Sequence, residues 1–600
     1  MARNTGRSTR SKKKSSSGTV QSRTGSTSAR RSSGSTRSTG KAAGSNGGSG
    51  FLVQGTILAA ASFISRIIGL IYRIPMTNII GDAGNNYYSA AYDIYNIFLM
   101  ISSFSLPLAI SKLVSARMAK NEEASARRVL RGGLIFACIT GGISFFIVFT
   151  FADLLTSVLV TPQSYLALRI LGPTLLIVAI MGVIRGYFQG MGTMVPSAVS
   201  QIIEQIVNAV VSVAAAYALF QYGTKVGAIM GDETQYAQSY GAAGGTLGTS
   251  MGALAGLIFL FFLLLFVGHR FTPKAKAQEK SGQAEDYADI FRSLIWTVLP
   301  ILISTTIYNC DYMIEHIIFK NIAAFQGYAA EDVSTWWGIF SGKYILLRNV
   351  PIAIASAVAS SAVPSITRAI RQNDRKLVRS KIYSSMRFIM ILAFPCAVGM
   401  AVLASPILVM LFGDARQLGA IMLQVGALSI IFYSISTLSN GILQGIDRLS
   451  VPIKNAVIAH ILHIALMLIL MLGFHLGIYA VIISNMAFGF FMCVLNGKSI
   501  ARYAKYRQEF RKTFFMPAIA SLIMGVFVWL GYKLFMLIGL GNTIATLVSI
   551  CLGVIVYLFA VLKLRVVTIR ELRTFPKGDS IIRLLRRLHL IQKPKRRKRR

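Results

Sequence analysis

The stretch RGYFQGMGTMVPSAVSQIIEQIVN, from Arg185 to Asn208, recurs as NGILQGIDRLSVPIKNAVIAHILH, from Asn440 to His463. Gln189-Gly190 matches Gln444-Gly445, and Pro196 matches Pro452 after one inserted residue. A second pair keeps nearly the same offset: Leu106 to Ile110 (LPLAI) echoes Val350 to Ile354 (VPIAI). Each of these leads into a basic segment with an Asn-acid pair, Asn121-Glu122 and Asn373-Asp374. Shared composition alone does not put two matches in the same order at one spacing. A repeat of this kind in an apolar chain restricts the fold to two like halves. Membrane proteins so built place a substrate site between the halves and rock one against the other. The expectation is a transporter.

The membrane setting follows from composition. The 600 residues are 54% hydrophobic and 14% charged, with mean hydropathy +0.59, whereas soluble domains carry about a quarter charged residues. The first 50 residues are rich in Arg, Ser, Thr and Gly and lack the apolar core of a cleavable signal. Net charge is +40, but residues 1–50 hold 11 Lys/Arg and no acid, and residues 565–600 hold 14 against Glu571 and Asp579. Setting those 25 cations and two acids aside from 62 and 22 leaves +17. Most of that sits in a few loops, so it reads as positive-inside bias rather than nucleic-acid binding. Cys138, Cys310, Cys396, Cys493 and Cys551 show neither a CxxC nor a metal-ligand spacing.

The chain reads as an all-α polytopic membrane protein with about 14 transmembrane helices. They are expected near 51–72, 88–110, 132–155, 164–186, 195–220, 241–267, 290–318, 337–362, 385–412, 417–443, 452–474, 477–497, 514–538 and 542–564. Each exceeds the roughly 20 residues that span about 30 Å of hydrocarbon. The Gly-rich run from Gly241 to Gly256 is expected to unwind or to pack closely, and Pro173, Pro300, Pro351 and Pro395 to kink their spans. The organisation expected is a disordered basic tail (1–50), a first lobe (51–268), a polar linker (269–289), a second lobe (290–497), two extra helices behind a basic loop (498–564) and a second basic tail (565–600). Basic loops follow the second, eighth and twelfth spans, which puts both termini in the cytoplasm. Six helices per lobe then make the repeats parallel, about an axis along the membrane normal.

Charge inside a span is costly, so each such residue is a candidate for function. The first span carries Ser62, Arg66, Gly69 and Arg73 on one stripe. Arg66 lies about 22 Å into the helix and is expected to face a cavity, while Arg73 either does the same or snorkels to the interface. In the second span Asp93 and Asn96 are one turn apart among Tyr88, Tyr92 and Tyr95; Asp93 is either the counter-charge of Arg66 or a cavity group. Gln201, Glu204, Gln205 and Asn208 form a polar stripe that serves either as interhelical hydrogen bonding or as cavity lining. The repeat sets His460 opposite Glu204 and adds His463. Ser304, Tyr308, Asp311 and Glu315 share a face of the seventh span, and Lys343 and Arg348 on the eighth are their available partners. With no Walker A or HExxH pattern, the chain offers no catalytic or metal set.

These residues also carry a family likeness. Gln54 to Gly84, QGTILAAASFISRIIGLIYRIPMTNIIGDAG, resembles the first-helix signature of lipid II flippases and stage V sporulation protein B-like proteins, in the multidrug/oligosaccharidyl-lipid/polysaccharide exporter superfamily. GYFQGMGTMVPSAVSQIIEQ and VPSIT (Val363 to Thr367) resemble the polysaccharide-transporter branch, and the likeness covers about residues 51–565. It implies two six-helix lobes in a V around a cationic cavity, alternating access, and two last helices forming a groove for a polyprenyl tail. Arg66 matches the first arginine of the flippase pattern. Arg73 sits one residue later than the second, the basic residue of helix 2 has no counterpart, and Lys343 or Arg348 fills the helix-8 basic position.

The function expected is therefore a non-enzymatic flippase for an undecaprenyl-diphosphate-linked cell-wall precursor, lipid II foremost. The alternatives are an exporter of another lipid-linked oligosaccharide or polysaccharide precursor, a cation-coupled multidrug exporter, or a scaffold for cell-wall synthesis proteins. No cofactor is expected, and the energy source is the membrane potential or a monovalent cation. Anionic membrane lipids are the expected partners of the basic tails.

Overall fold

The structure, a computed structural model, describes residues 47–280, 285–309, 311–448, 450–564 and Val566. Almost all of both tails, residues 281–284 of the linker, Cys310 and the side chain of Asp311 lie outside what is described. The chain divides after Gly48, and everything below concerns the unit from Ser49 onward.

The described residues form helices and connecting turns, with no strand among them. The first half of the described chain comprises α1 (Gly47–Leu99), a π-helical turn (Met100–Phe104), α2 (Leu106–Met118), α3 (Glu123–Thr150), the short α4 (Ala152–Val158), α5 (Tyr165–Gly190), α6 (Val195–Met230) and α7 (Glu233–Lys280). The second comprises α8 (Tyr287–Asn309), α9 (Asp311–Phe325), α10 (Ala330–Ile339), a second π-helical turn (Phe340–Tyr344), α11 (Ile345–Arg371), α12 (Arg375–Val402) and the short α13 (Ala404–Phe412). It continues through α14 (Gln417–Gly426), α15 (Ser429–Gly445), α16 (Ser450–Leu468) and α17 (Ile478–Ala504), with α18 (Met516–Leu537) and α19 (Asn542–Lys563) following.

Among the described residues, eleven helical stretches are long and apolar enough to cross a membrane, or twelve if α14 and α15, bent by 42°, count as one. The first of these, Ala60–Met118, has 59 residues, or about 88 Å if straight, nearly three hydrocarbon thicknesses. It does not run straight. Gly81 takes φ 71° and ψ −177° inside α1, a conformation open to glycine because it has no Cβ. The expected loop between 72 and 88 is thus a bend at a single residue, with helix on both sides.

The segments around the LPLAI and VPIAI echoes behave alike. A π-helical turn precedes both α2 and α11, Asn121 and Asn373 both adopt positive φ (59° and 54°), and α3 and α12 both have 28 residues and end in a short extra helix. The Gly-rich run of α7 stays helical and packs closely on α6. A Cβ at Gly244 would lie 2.3 Å from the Ala215 carbonyl oxygen, and one at Gly248 would lie 2.1 Å from Ser212 Oγ. Small residues here let two backbones touch, the packing favoured where no solvent drives helices together. The last two helices pair with each other and rest on α12 and α13. Tyr557 Oη donates to the Ile391 carbonyl (2.6 Å) and Asn542 Nδ2 to that of Pro406 (3.1 Å).

Candidate functional site

Three adjoining cavities run along α1. The first, about 570 Å³, lies between α1 and α11 and is lined by Phe63, Arg66, Gly69 and Arg73 facing Leu346, Asn349 and Ala353. The second, about 380 Å³, shares Arg73 and adds Tyr88, Asp93, Asn96, Tyr312 and Ser341. The third, about 570 Å³, shares Thr77 with the second and ends at Asp82, Lys343, Asp414 and Arg416. Arg66 and Arg73 thus line one path on one helical stripe, about 10 Å apart along the axis. Arg73 is held over the Tyr88 ring (5.1 Å), which lies tilted against Tyr92 with ring centroids 4.5 Å apart; such cation–π contacts contribute about 1–2 kcal/mol where water is scarce.

The far end of the path is closed by four charges. Lys343 Nζ lies 2.8 Å from Asp82 Oδ1 and 2.6 Å from Asp414 Oδ2, and Arg416 Nε lies 2.8 Å from Asp414 Oδ1 while its other branch reaches Asp82. Burial by itself would raise the Asp414 carboxyl; hydrogen bonds from Arg416 and Lys343 outweigh it and hold the group well below the usual carboxylate range. Backbone contact closes the same end. A Cβ on Gly338 would fall 1.8 Å from the Asp82 carbonyl oxygen, and one on Gly342 would fall 2.7 Å from Asn85 Cγ. Asn78 Nδ2 donates to the Leu411 carbonyl (3.0 Å) and Asn86 Nδ2 to Ser334 Oγ (2.7 Å), again between the first and second halves of the chain.

Between the arginines and this closure, α9 carries two acid–imidazole pairs back to back. His316 Nδ1 is 2.7 Å from Asp93 Oδ2, with the imidazole stacked on Trp337 at 4.0 Å. Glu315 Oε1 is 2.8 Å from His463 Nε2 and accepts from Asn485 Nδ2 at 2.8 Å. Arg348 donates to Asn485 Oδ1 and lies over the Tyr433 ring at 4.4 Å. Arg348 therefore reaches Glu315 through an amide, whereas Lys343 serves the closure.

The remaining sequence candidates have partners in the same half of the chain. Gln201 Oε1 accepts from Ser62 Oγ (3.1 Å), Glu204 pairs with Arg185 (2.8 Å), and Asn208 Nδ2 donates to Tyr72 Oη (3.2 Å) while its Oδ1 accepts from Ser212 Oγ (2.8 Å). His460 stacks on Phe488 at 4.7 Å. Asp93 pairs with His316 rather than with Arg66, and it lines the second cavity, next to the one that Arg66 lines. Sequence reasoning also overlooked that Gly248 to Gly252 fits GxSxG; it lies inside α7, where Ser250 bonds Thr174 Oγ1 (2.6 Å) and the Ile170 carbonyl (3.0 Å), a packing contact and not a nucleophile elbow.

Sequence reasoning assigned no site role to Asp82, Asp414, Arg416 or His316. One signal was available. Asp82 and Asp414 stand in the same tripeptide, Gly-Asp-Ala, each after a glycine at positive φ (Gly81 71°, Gly413 64°).

Comparison with known proteins bears on what this site serves. The family described as polysaccharide biosynthesis protein matches residues 52–370, more than half of the chain, and a second family of that description matches residues 334–417. The chain belongs to the polysaccharide biosynthesis protein family. Within reach of this family member are the lipid II flippase MurJ of Bacillus subtilis (strain 168), 26% identical over 503 residues, and stage V sporulation protein B of the same organism, 24% identical over 541. The matches cover 79% and 89% of this chain and 87% and 99% of those proteins. Among solved structures, lipid II flippase MurJ in an inward closed conformation aligns with a TM-score of 0.61 at 16% identity, covering 84% of this chain and 97% of that one. An inward-facing MATE family multidrug resistance transporter aligns at 0.56 and 14%, covering 73% and 100%. The polysaccharide biosynthesis family member is thus a multi-pass membrane protein that shares the fold of these transporters.

Proposed function

We propose that the chain is a flippase that carries an undecaprenyl-diphosphate-linked cell-wall precursor, lipid II foremost, from the inner to the outer leaflet by alternating access. The observation that carries this reading is the path along α1: two arginines, Arg66 and Arg73, face a cavity between α1 and α11, and four charges close its far end. A diphosphate headgroup cannot enter hydrocarbon uncompensated, and guanidinium groups offer it forked donors in place of water. A gap between two helices lets the polyprenyl chain stay in lipid while the head moves. The relatives' names speak for this class of cargo, and an acidic drug cavity is not what α1 presents.

The same reading takes the α1 bend, the α8–α9 pair and the α14–α15 pair as crossings of their own, giving fourteen, with parallel six-helix lobes and both termini cytoplasmic. The closed end then faces outward. The apolar flanks of α18 and α19, including Leu522, Phe527, Trp529, Ile555 and Leu558, are exposed and suit the lipid tail. The molecule works as a carrier, with no covalent step.

The test is replacement. In a bacterium depleted of its own lipid II flippase, this chain as the sole substitute should sustain growth and keep lipid II accessible at the outer face. Normal membrane insertion with lysis and inward accumulation of lipid II would overturn the lipid II reading.

A further inference from the structure

Asp93 and His316 join the two repeats at a point where water in the cavity meets the buried interior. Asp93 belongs to the segment of α1 after the bend and lines the second cavity, whereas His316 is fully buried on α9 against Trp337. Among the described residues, the charged and titratable groups facing the pair are Arg73, Tyr88 and Tyr92 around the cavity and Tyr312, Glu315 and Lys320 on α9. Lys320 is itself bonded to Thr161 Oγ1. We infer that the Asp93–His316 pair is the proton-binding site of this transporter, and that a proton bound there favours the form closed at the Asp82–Lys343 end.

The physical argument is one of charge. Without an added proton, a neutral imidazole donates to the carboxylate, and the pair carries one net negative charge in a buried place. With it, the pair is an imidazolium–carboxylate contact, net neutral and hydrogen-bonded, which costs far less to bury. Opening the closed end parts α1 from α9 and hydrates both groups. A free aspartate then ionises near its ordinary value, and a free imidazole sheds its proton close to neutrality. The closed form therefore binds the proton more tightly, so protonation draws the equilibrium toward that form.

This gives the transport cycle a reset step, a role that rests on the flippase reading. A proton from water at the open end binds the pair after the anionic cargo has left, and the path closes behind it. The proton returns to cavity water through Asp93, on the Arg66 side. Arg73 then meets the next diphosphate beside a negatively charged pair, and repulsion between the two favours reopening. One proton enters for each anion moved out.

The test needs no cargo. Full-length protein in lipid nanodiscs, in a cysteine-free background, carries spin labels at Thr234→Cys and Leu537→Cys, exposed residues beside the closed end on the first repeat and on α18. Pulsed dipolar spectroscopy then reads the ratio of long to short separations as pH is lowered from about 8 to about 5.5, where one linked proton allows at most about a tenfold change per pH unit. The ratio should fall at least about threefold per unit over part of that range. Asp93→Asn and His316→Gln, which keep shape and hydrogen bonding, should each flatten the response, whereas Glu315→Gln should move its midpoint and leave it steep. A full response in a folded Asp93→Asn or His316→Gln protein, or a flat one in the parent, overturns the assignment. Because no lipid substrate is present, this outcome is independent of whether the replacement experiment succeeds.

Discussion

Lys343 Nζ lies 2.8 Å from Asp82 Oδ1, tying the π-helical turn before α11 to the bend of α1, more than 250 residues earlier in the chain. The same ammonium group also holds Asp414, so a single buried cation serves two carboxylates, with the half-exposed Arg416 as the other counter-charge. Removing one member of a buried ion pair costs about 3–5 kcal/mol at full burial, and less here because Arg416 remains and is wet. Lys343→Ala should raise the rate at which an impermeant thiol reagent labels Thr77→Cys, in the cavity just inside, by roughly ten- to a hundredfold, about 1.4–2.8 kcal/mol. Unchanged labelling would show that backbone packing alone closes this end.

Gly338 makes that packing contact. With its Cβ 1.8 Å from the Asp82 carbonyl oxygen, Gly338→Ala cannot be absorbed by a rotamer change and must push α10 away from α1. Transport should fall by at least about tenfold while the protein still reaches the membrane. Gly419→Ala is the milder comparison, since its Cβ would stand 3.3 Å from Leu408 Cδ1, the end of a flexible side chain.

Arg66 tests the cargo side. Since Asp93 has His316 as its partner, Arg66→Ala leaves no carboxylate stranded, and expression should be near normal. Flipping should drop by about a hundredfold, and Arg66→Lys should recover about a tenth of it, keeping the charge but losing the fork. Arg66→Ala combined with Asp93→Asn should not restore transport. Recovery in that double variant would mean that the arginine only neutralises the aspartate.

The pH behaviour of the closure separates it from the proton site. Asp414 is held below the usual carboxylate range, so its contribution is complete above the ordinary aspartate value near 4 and is lost only as pH falls through the depressed one. The Asp414 carboxylate should therefore stay ionised between about pH 5 and 8. In protein carrying Asp414→Asn, the opening equilibrium at this end should shift by the same factor at every pH in that window. A shift that grows toward acid would return the pH response to the cluster.

Orientation has a direct check. In a cysteine-free background and intact cells, Thr234→Cys should react with an impermeant reagent and Lys376→Cys should not, both side chains being exposed. The opposite pattern would reverse the direction of transport.

Much of this protein was fixed by local pattern. Runs of apolar residues dictate membrane helices because the bilayer tolerates no unsatisfied backbone, and the Arg185 and Asn440 echoes announce two like halves before any contact is known. The Ser62, Arg66, Gly69, Arg73 stripe follows from helical spacing alone, and the structure lines a cavity with its Arg66, Gly69 and Arg73. What spacing cannot express is partnership between residues far apart in the chain. Glu204 has the same helical credentials as Asp93, yet Arg185 on the neighbouring helix claims it, whereas Asp93 finds His316 more than two hundred residues away. The loop after α13 and the bend of α1 looked like ordinary turns. Only the approach of α10 to α1, allowed by glycine at 338, sets Asp82 and Asp414 on either side of Lys343. Helix formation is decided within a few residues of sequence; charge pairing in a low-dielectric interior is decided by which helices meet.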